Sequence, residues 1–254
     1  MQRTSGRSVT SKVVALFDAF TPTEPVLSLN ELAAATGLTT STAHRLANEL
    51  VEWGGLERGE NGGYRIGLRM WEIGALAPRG ENLRAVALPV MQDLYEATQA
   101  NVHLAVRDGT EAFYIEKIHG PRAPRVRSRR GGRLPLHATG VGKVLLAYGP
   151  DEVLAEVLGN LSRVTAYTIT QPARLLDQVR RVRADGYATT GEEMSLGACS
   201  VAVPVRGPGG EVVAALGIVV PDLRRERARL VSALQVAAQG ITRTLTDSTS
   251  AQWK

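Results

Sequence analysis

The segment from residue 28 to residue 50 constrains the fold of this chain more than any other. Ser28 and Glu31 have the Ser-x-x-Glu spacing of a capping box, which predicts the start of a helix. Gly37 tolerates a left-handed backbone and predicts the end of that helix. Thr39 or Thr40 can cap the next helix. Two helices joined by so short a turn must cross at a sharp angle, which is typical of a helix-turn-helix.

The second of these helices has two contrasting faces. Its inner face is apolar and consists of Ala43, Leu46, Ala47 and Leu50. Its outer face is polar, and we predict that it contacts DNA, because hydroxyl groups reach phosphates and base edges while arginine bonds guanine. The predicted contacts on this helix are Thr40, Ser41, Thr42, His44, Arg45 and Asn48. The alternative is an ordinary helical hairpin whose outer face is only solvated.

A glycine-rich hairpin follows. The stretch from Leu56 to Gly67 contains two short segments around a tip at residues 59–63, which predicts a wing. Residues 1–67 are therefore predicted to form a winged helix-turn-helix domain. The further predicted phosphate contacts are Arg65 on the wing, and Arg3, Arg7 and Lys12 near the N-terminus.

Net charge alone does not support DNA binding by this domain. The chain carries a formal charge of +5, but residues 1–76 contain 7 Lys and Arg against 8 Asp and Glu. Glu49 and Glu52 are expected to point away from the DNA. The basic excess lies in residues 77–254, where six arginines fall between Arg122 and Arg133. This cluster is consistent with a solvated loop, a gate for acidic ligands, a subunit contact or a second DNA surface.

The pattern of apolar residues changes near residue 80. Residues 68–82 are predicted to form a linker helix, and residues 83–246 an α+β domain. A final helix capped by Asp222 is expected before a disordered tail at residues 247–254. Alternating apolar residues predict two antiparallel hairpins, Val102–Arg107 with Ala112–Ile118 and Val201–Arg206 with Val212–Val220.

Several protein classes are disfavoured by the sequence. The single cysteine, Cys199, allows no intrachain disulfide. The longest uncharged apolar stretch, Val212–Pro221, is too short to span a membrane, and the polar N-terminus does not resemble a secretory signal. We therefore expect a cytoplasmic protein with no membrane partner.

Motifs for catalysis and for cofactors are also missing from the sequence. Gly142-Lys143 lacks the flanking residues of a phosphate-binding loop. His103, His119 and His137 are too far apart for a short metal motif, and no nucleophile elbow is present. We therefore expect no metal, no cofactor and no enzymatic activity.

The chain resembles the IclR family of bacterial regulators over nearly its whole length, and three stretches carry the resemblance. Ser28–Leu50 is similar to the family's helix-turn-helix, and Leu134–Lys143 to the segment that enters its effector pocket. The stretch from Gly186 through Glu193 to Ala202 matches the family's spacing of glycine, acid and small residue. The resemblance implies a winged helix-turn-helix, a linker helix and a GAF-like effector-binding domain with an antiparallel sheet. It further implies a regulator, more often a repressor, that binds a pseudo-palindromic operator as a homodimer or dimer of dimers.

The resemblance also implies a pocket for a small-molecule effector. Small residues there could offer backbone N–H groups to a carboxylate, although tight packing would explain them equally well. Thr190 stands where the family usually has Asp or Ser, and Gly217 and Val219 stand where members that sense small oxo acids place serines. A less polar floor predicts a bulkier acid, with aromatic acids among the candidates. The remaining predicted pocket residues are Gly140, Val141, Ala198, Cys199 and Ser200.

Two alternatives stay open at this point. One is a small-molecule enzyme built on a sensor-like sheet. The other is a DNA-binding protein whose C-terminal domain only assembles subunits.

Overall fold

The computed structural model describes residues 7–59, 61–76, 81–121 and 123–251. The chain forms two compact units that divide after Glu81. Arg3 and Arg122, which were singled out from the sequence, lie outside the described residues, as do residues 77–80 of the predicted linker helix.

The N-terminal unit combines helices with a small antiparallel sheet. The elements are α1 (Val9–Asp18), β1 (Val26–Leu27), α2 (Leu29–Thr36), α3 (Thr40–Trp53), β2 (Leu56–Arg58), β3 (Tyr64–Ile66) and α4 (Leu68–Ala75). The strands are ordered β1–β3–β2, and β2 and β3 form the wing.

Local signals in the sequence account for the helix boundaries of this unit. The capping box is present, since Ser28 N donates to Glu31 Oε2 at 2.7 Å and Glu31 N donates to Ser28 Oγ at 3.3 Å. Gly37 ends α2 with a φ of 66°. Thr39, rather than Thr40, caps α3, because its hydroxyl accepts from Thr42 N. The core beneath these helices includes Leu16, Leu32, Leu46, Leu56 and Tyr64.

The linker region differs from the single helix expected over residues 68–82. Helix α4 ends at Ala75, and the next described helix begins at Glu81. None of the residues of α4 is buried, and Trp71 is 65% exposed.

The C-terminal unit is built on a six-stranded antiparallel sheet covered by helices. The elements are α5 (Glu81–Thr98), β4 (Asn101–Asp108), β5 (Glu111–Ile118), β6 (Arg133–Pro135), α6 (Gly140–Ala147), α7 (Asp151–Gly159), α8 (Pro172–Asp185), β7 (Ala188–Gly191), β8 (Cys199–Arg206), β9 (Val212–Val220) and α9 (Arg227–Ala251). The strand order is β6–β5–β4–β9–β8–β7. One face of the sheet packs against α5 and α9, and the other against α6 and α8. This α+β architecture confirms the expected fold class.

Two expectations at the end of the chain are wrong. Helix α9 continues to Ala251, so residues 247–251 are helical rather than a disordered tail, and residues 252–254 lie outside the described part. The physical reason is that each residue added to an established helix gains a hydrogen bond, and no proline interrupts this segment. Asp222 does not cap α9, because its carboxylate accepts from Arg224 N at 2.9 Å and closes an earlier turn.

The described helices include none that is long and apolar enough to cross a membrane.

Candidate DNA interface and ligand cavity

The outer face of α3 presents the polar residues that were predicted to contact DNA. Thr40, Ser41, His44 and Arg45 are exposed, and Thr42 and Asn48 are partly exposed. The opposite face of the helix is buried, and consists of Ala43, Leu46, Ala47 and Leu50.

Arg45 already has a partner on its own helix. Its Nη1 lies 2.6 Å from Glu49 Oε1, and both side chains are more than half exposed. The expectation that Glu49 points away from this surface is therefore wrong, because residues four apart on a helix are neighbours. An ion pair this exposed is worth no more than about 1 kcal/mol, so DNA can replace Glu49 as the partner of Arg45 at small cost.

Asn48 is tied to the wing by Arg58, a residue that the sequence analysis missed. Arg58 Nη2 donates to Asn48 Oδ1 at 2.8 Å and to Tyr64 Oη at 2.9 Å. Asn48 Nδ2 also lies 3.2 Å from His44 Nε2. The sequence offered no signal for Arg58, because the contact depends on how the wing packs against α3. It brings a further cation to the edge of the predicted DNA face.

The two other described arginines that were predicted to bind DNA lie off α3. Arg65 pairs across the wing with Glu57, with Nε to Oε2 at 3.0 Å. Arg7 Nη1 donates to Thr36 O at 2.8 Å and so satisfies a carbonyl at the end of α2. Both residues are exposed, and Lys12 is partly buried in α1.

The C-terminal unit contains a partly enclosed cavity. Strands β8 and β9 and the start of α6 contribute to its walls, together with segments around residues 126–128 and 194–195. Seven of the eight residues predicted for an effector pocket line this cavity, namely Gly140, Val141, Thr190, Ala198, Ser200, Gly217 and Val219.

Cys199 is the exception, and its placement in the pocket was wrong. It lines a separate surface cleft together with Asp222 and Arg227. The reason is strand alternation, since neighbouring residues of β8 point to opposite faces of the sheet. Ser200 faces the cavity and Cys199 therefore does not.

Helix α6 begins at the cavity wall. Thr139 Oγ1 caps the helix by accepting from Gly142 N at 3.1 Å, whereas the preceding N–H groups of Gly140 and Val141 have no partner within the helix. A Cβ on Gly140 would lie 2.6 Å from Ser200 Oγ, so glycine is needed for α6 to approach β8 this closely. A helix N-terminus of this kind favours an anionic group.

The cavity also contains hydroxyl and ring groups. Thr190 Oγ1 and Ser200 Oγ are 2.5 Å apart. Burial raises the pKa of Tyr114, so its phenol stays protonated, and the ring contacts His103 edge-on. Ser195 Oγ is buried and has no hydrogen-bond partner among the described residues. Tyr114 and Ser195 were not anticipated, because neither is identified by a local sequence pattern.

His103 is uncharged in this environment. Burial, assisted by the nearby charge of Lys117, lowers the pKa of His103 to about 3. Its Nε2 lies 3.1 Å from Ser128 Oγ. From the sequence this histidine was a candidate only as a metal ligand, whereas the structure places it in the cavity wall.

A buried ion pair fixes one wall of the cavity to α6. Lys143 Nζ lies 2.6 and 2.7 Å from the two carboxylate oxygens of Glu193, and the side chains are 1% and 6% exposed. Burial lowers the pKa of Lys143 and raises that of Glu193, while their mutual attraction opposes both shifts. Because Glu193 precedes Met194 and Ser195, the pair holds these wall residues in place.

Known proteins match both units. The family model of the IclR helix-turn-helix domain matches residues 9–60, and that of the bacterial transcriptional regulator IclR C-terminal domain matches residues 77–243. The HTH-type transcriptional regulator XynR of Escherichia coli (strain K12) is 33% identical over 240 residues, which are 92% of this chain and 95% of XynR. The transcriptional repressor IclR of the same organism is 32% identical over 203 residues, 78% of this chain and 74% of that protein.

A solved structure is also similar to this chain over most of its length. An IclR homolog from Microbacterium hydrocarbonoxydans, complexed with 4-hydroxybenzoate, is 34% identical with a TM-score of 0.89. The match covers 94% of this chain and 99% of that one. The chain therefore belongs to the IclR family of helix-turn-helix transcriptional regulators.

Proposed function

We propose that this regulator represses transcription from a pseudo-palindromic operator, and that an aromatic acid bound in its cavity modulates operator binding. One observation carries the proposal, which is that the N-terminus of α6 begins at the wall of a largely apolar cavity. The similar Microbacterium protein was solved with 4-hydroxybenzoate, which is such an acid.

The cavity offers suitable chemistry for each part of this ligand. The N–H groups of Gly140 and Val141 can donate to a carboxylate, and Ser200 Oγ is close enough to add a third bond. An aromatic ring gains about 25 cal/mol for each Å² that it buries against residues such as Val141 and Val219. A very small oxo acid has little apolar surface to gain in this way.

DNA recognition requires two copies of α3. One helix spans too few base pairs for a specific operator, so we propose a homodimer or dimer of dimers that reads half-sites about 34 Å apart or a multiple of that distance. The exposed polar face of α3 supports direct contact with bases and phosphates. A regulator of bacterial DNA acts in the cytoplasm, and this is where we place it.

An enzyme built on the same cavity is disfavoured. The contact between Ser128 and His103 resembles a nucleophile and its base, but an imidazole with a pKa of about 3 is a poor base near neutral pH. This weakly basic imidazole favours ligand sensing over turnover.

A thermal-shift titration tests the proposal. We expect 4-hydroxybenzoate to stabilise the full-length protein by about 2.7 kcal/mol at a hundredfold excess over its Kd. Glyoxylate and pyruvate serve as matched small acids and should stabilise it less. Stabilisation by the two oxo acids alone would contradict an aromatic effector, and no stabilisation by any acid would favour a C-terminal domain that only assembles subunits.

A further inference from the structure

Two wall segments of the cavity are held at their bases and leave short tips. In the first, Asn101 Nδ2 donates to Pro124 O at 2.9 Å, and Lys117 Nζ donates to Ser128 O at 2.9 Å. The residues between these two anchors are Arg125, Val126 and Arg127. Hydrogen bonds therefore hold the backbone on both sides of this three-residue tip.

The second segment is held in a similar way. Thr165 Oγ1 donates to Glu192 O at 2.8 Å, and Thr168 Oγ1 donates to Glu193 O at 2.7 Å. The backbone closes on itself where Glu192 N donates to Ala198 O at 2.9 Å. The tip of this segment is Met194 to Leu196, and Leu196 is 65% exposed.

The two tips meet where the cavity opens to the surface. An open groove lies outside the cavity, and residues from both tips line it. Val126, Arg127, Met194 and Ser195 line both the groove and the cavity. A ligand that passes from solvent into the cavity at this point therefore passes Arg127.

The charge of Arg127 is uncompensated at this opening. Its side chain is exposed, and no hydrogen bond or ion pair joins it to another described residue. Glu193, on the facing segment, is already neutralised by Lys143, and Glu192 accepts from Gly197 N at 2.8 Å. In contrast, Arg133 of the same arginine cluster pairs with Asp108 at 2.7 Å.

We propose that Arg127 is the entrance residue of the cavity, which attracts acidic ligands and so selects them over neutral analogues during uptake. The inference rests on the proposed function, because it assumes that the cavity binds an acid. An exposed cation at a narrow opening accelerates the association of anions, and salt suppresses that acceleration. Four interpretations of the arginine cluster were open from the sequence. For Arg127, the proposal selects the gate for acidic ligands.

The test is the association rate of 4-hydroxybenzoate with the full-length protein, measured by rapid mixing. In about 0.1 M salt, Arg127→Gln should lower this rate about three- to tenfold and leave the dissociation rate unchanged, and in about 1 M salt the difference should vanish. Arg127→Lys should retain most of the wild-type rate, because attraction at a distance needs charge rather than guanidinium geometry.

Two controls separate charge from structure. The uncharged analogue 4-hydroxybenzamide should associate at the same rate with wild type and Arg127→Gln. Arg129→Gln removes an exposed arginine two residues away that lines neither the cavity nor the groove, and should change the rate less than twofold.

The outcomes distinguish this inference from the proposed function. The entrance role is overturned if 4-hydroxybenzoate binds wild type and associates with Arg127→Gln at the wild-type rate. It is also overturned if Arg127→Gln slows the association of 4-hydroxybenzoate and of 4-hydroxybenzamide equally. In both cases the proposed aromatic effector stands. If neither 4-hydroxybenzoate nor other aromatic acids bind wild type, the proposed function fails and this inference fails with it.

Discussion

The DNA face of α3 and the surroundings of the cavity in the C-terminal unit both contain paired polar side chains, but these pairs differ in burial. On α3 the pairs are exposed, as in Arg45 with Glu49, so exchanging one partner for another costs little. Behind the cavity wall the Lys143–Glu193 pair is buried, so losing a partner leaves a costly unsatisfied group. Changes on α3 should therefore act on DNA affinity, and changes in the cavity on ligand response and stability.

The largest expected effect comes from a charge placed in the cavity wall. Val219 is 7% exposed, so Val219→Asp introduces a carboxylate that costs about 3–5 kcal/mol if it stays unpaired. We expect the response to 4-hydroxybenzoate to be lost while operator binding without ligand persists, as measured by DNA binding with and without the acid. Val219→Thr, which has similar volume but no charge, should weaken the response less. A normal response in Val219→Asp would place the effector elsewhere.

Neighbouring residues of α3 provide the next comparison. Leu46 is 1% exposed, and Leu46→Ala should lower the free energy of unfolding by about 2–5 kcal/mol. Arg45→Ala should leave stability unchanged and weaken operator binding by about 1–3 kcal/mol. Thermal unfolding and DNA titration measure the two effects. Equal destabilisation by both substitutions would show that the faces of α3 are assigned wrongly.

Acid should weaken the C-terminal unit through His103. The pKa of His103 falls from 6.5 to about 3 on folding. Below pH 6.5 the unfolded chain therefore binds a proton at His103 that the folded chain does not bind. Stability is therefore complete above pH 6.5 and declines as the pH falls toward 3. Between pH 7.5 and pH 5 the expected loss is about 2 kcal/mol. Urea unfolding at both values should show a smaller pH dependence in His103→Gln, and an identical dependence would exclude this origin.

The smallest expected effect is a gain in DNA affinity. Glu49→Gln should release Arg45 and tighten operator binding by no more than about 1 kcal/mol. Glu52→Gln is the matched control, since it removes the same charge from an exposed position of the same helix. Equal gains from the two substitutions would mean that overall charge, rather than the pairing of Arg45, controls affinity.

Helix boundaries and helix faces could be predicted from the sequence, because they depend on local signals. The capping box at Ser28, the turn at Gly37 and the two faces of α3 all follow from short-range spacing. Contacts between distant segments could not be predicted this way. Arg58 meets Asn48 only through the packing of the wing, and His103 reaches the cavity only through the register of the sheet. Cys199 was misplaced for a different reason, because consecutive residues of a strand point to opposite faces and Ser200 is the one that faces the cavity.

Coupling between the cavity and α3 is the central claim, and reciprocal binding tests it most directly. Binding-site selection on the purified protein supplies the operator, and calorimetry then gives the Kd of 4-hydroxybenzoate for free protein and for protein saturated with operator. We expect the two Kd values to differ by about fivefold or more, with weaker ligand binding on DNA if the acid releases a repressor. Identical values would show that the cavity does not communicate with the DNA-binding unit, and would contradict regulation by this ligand.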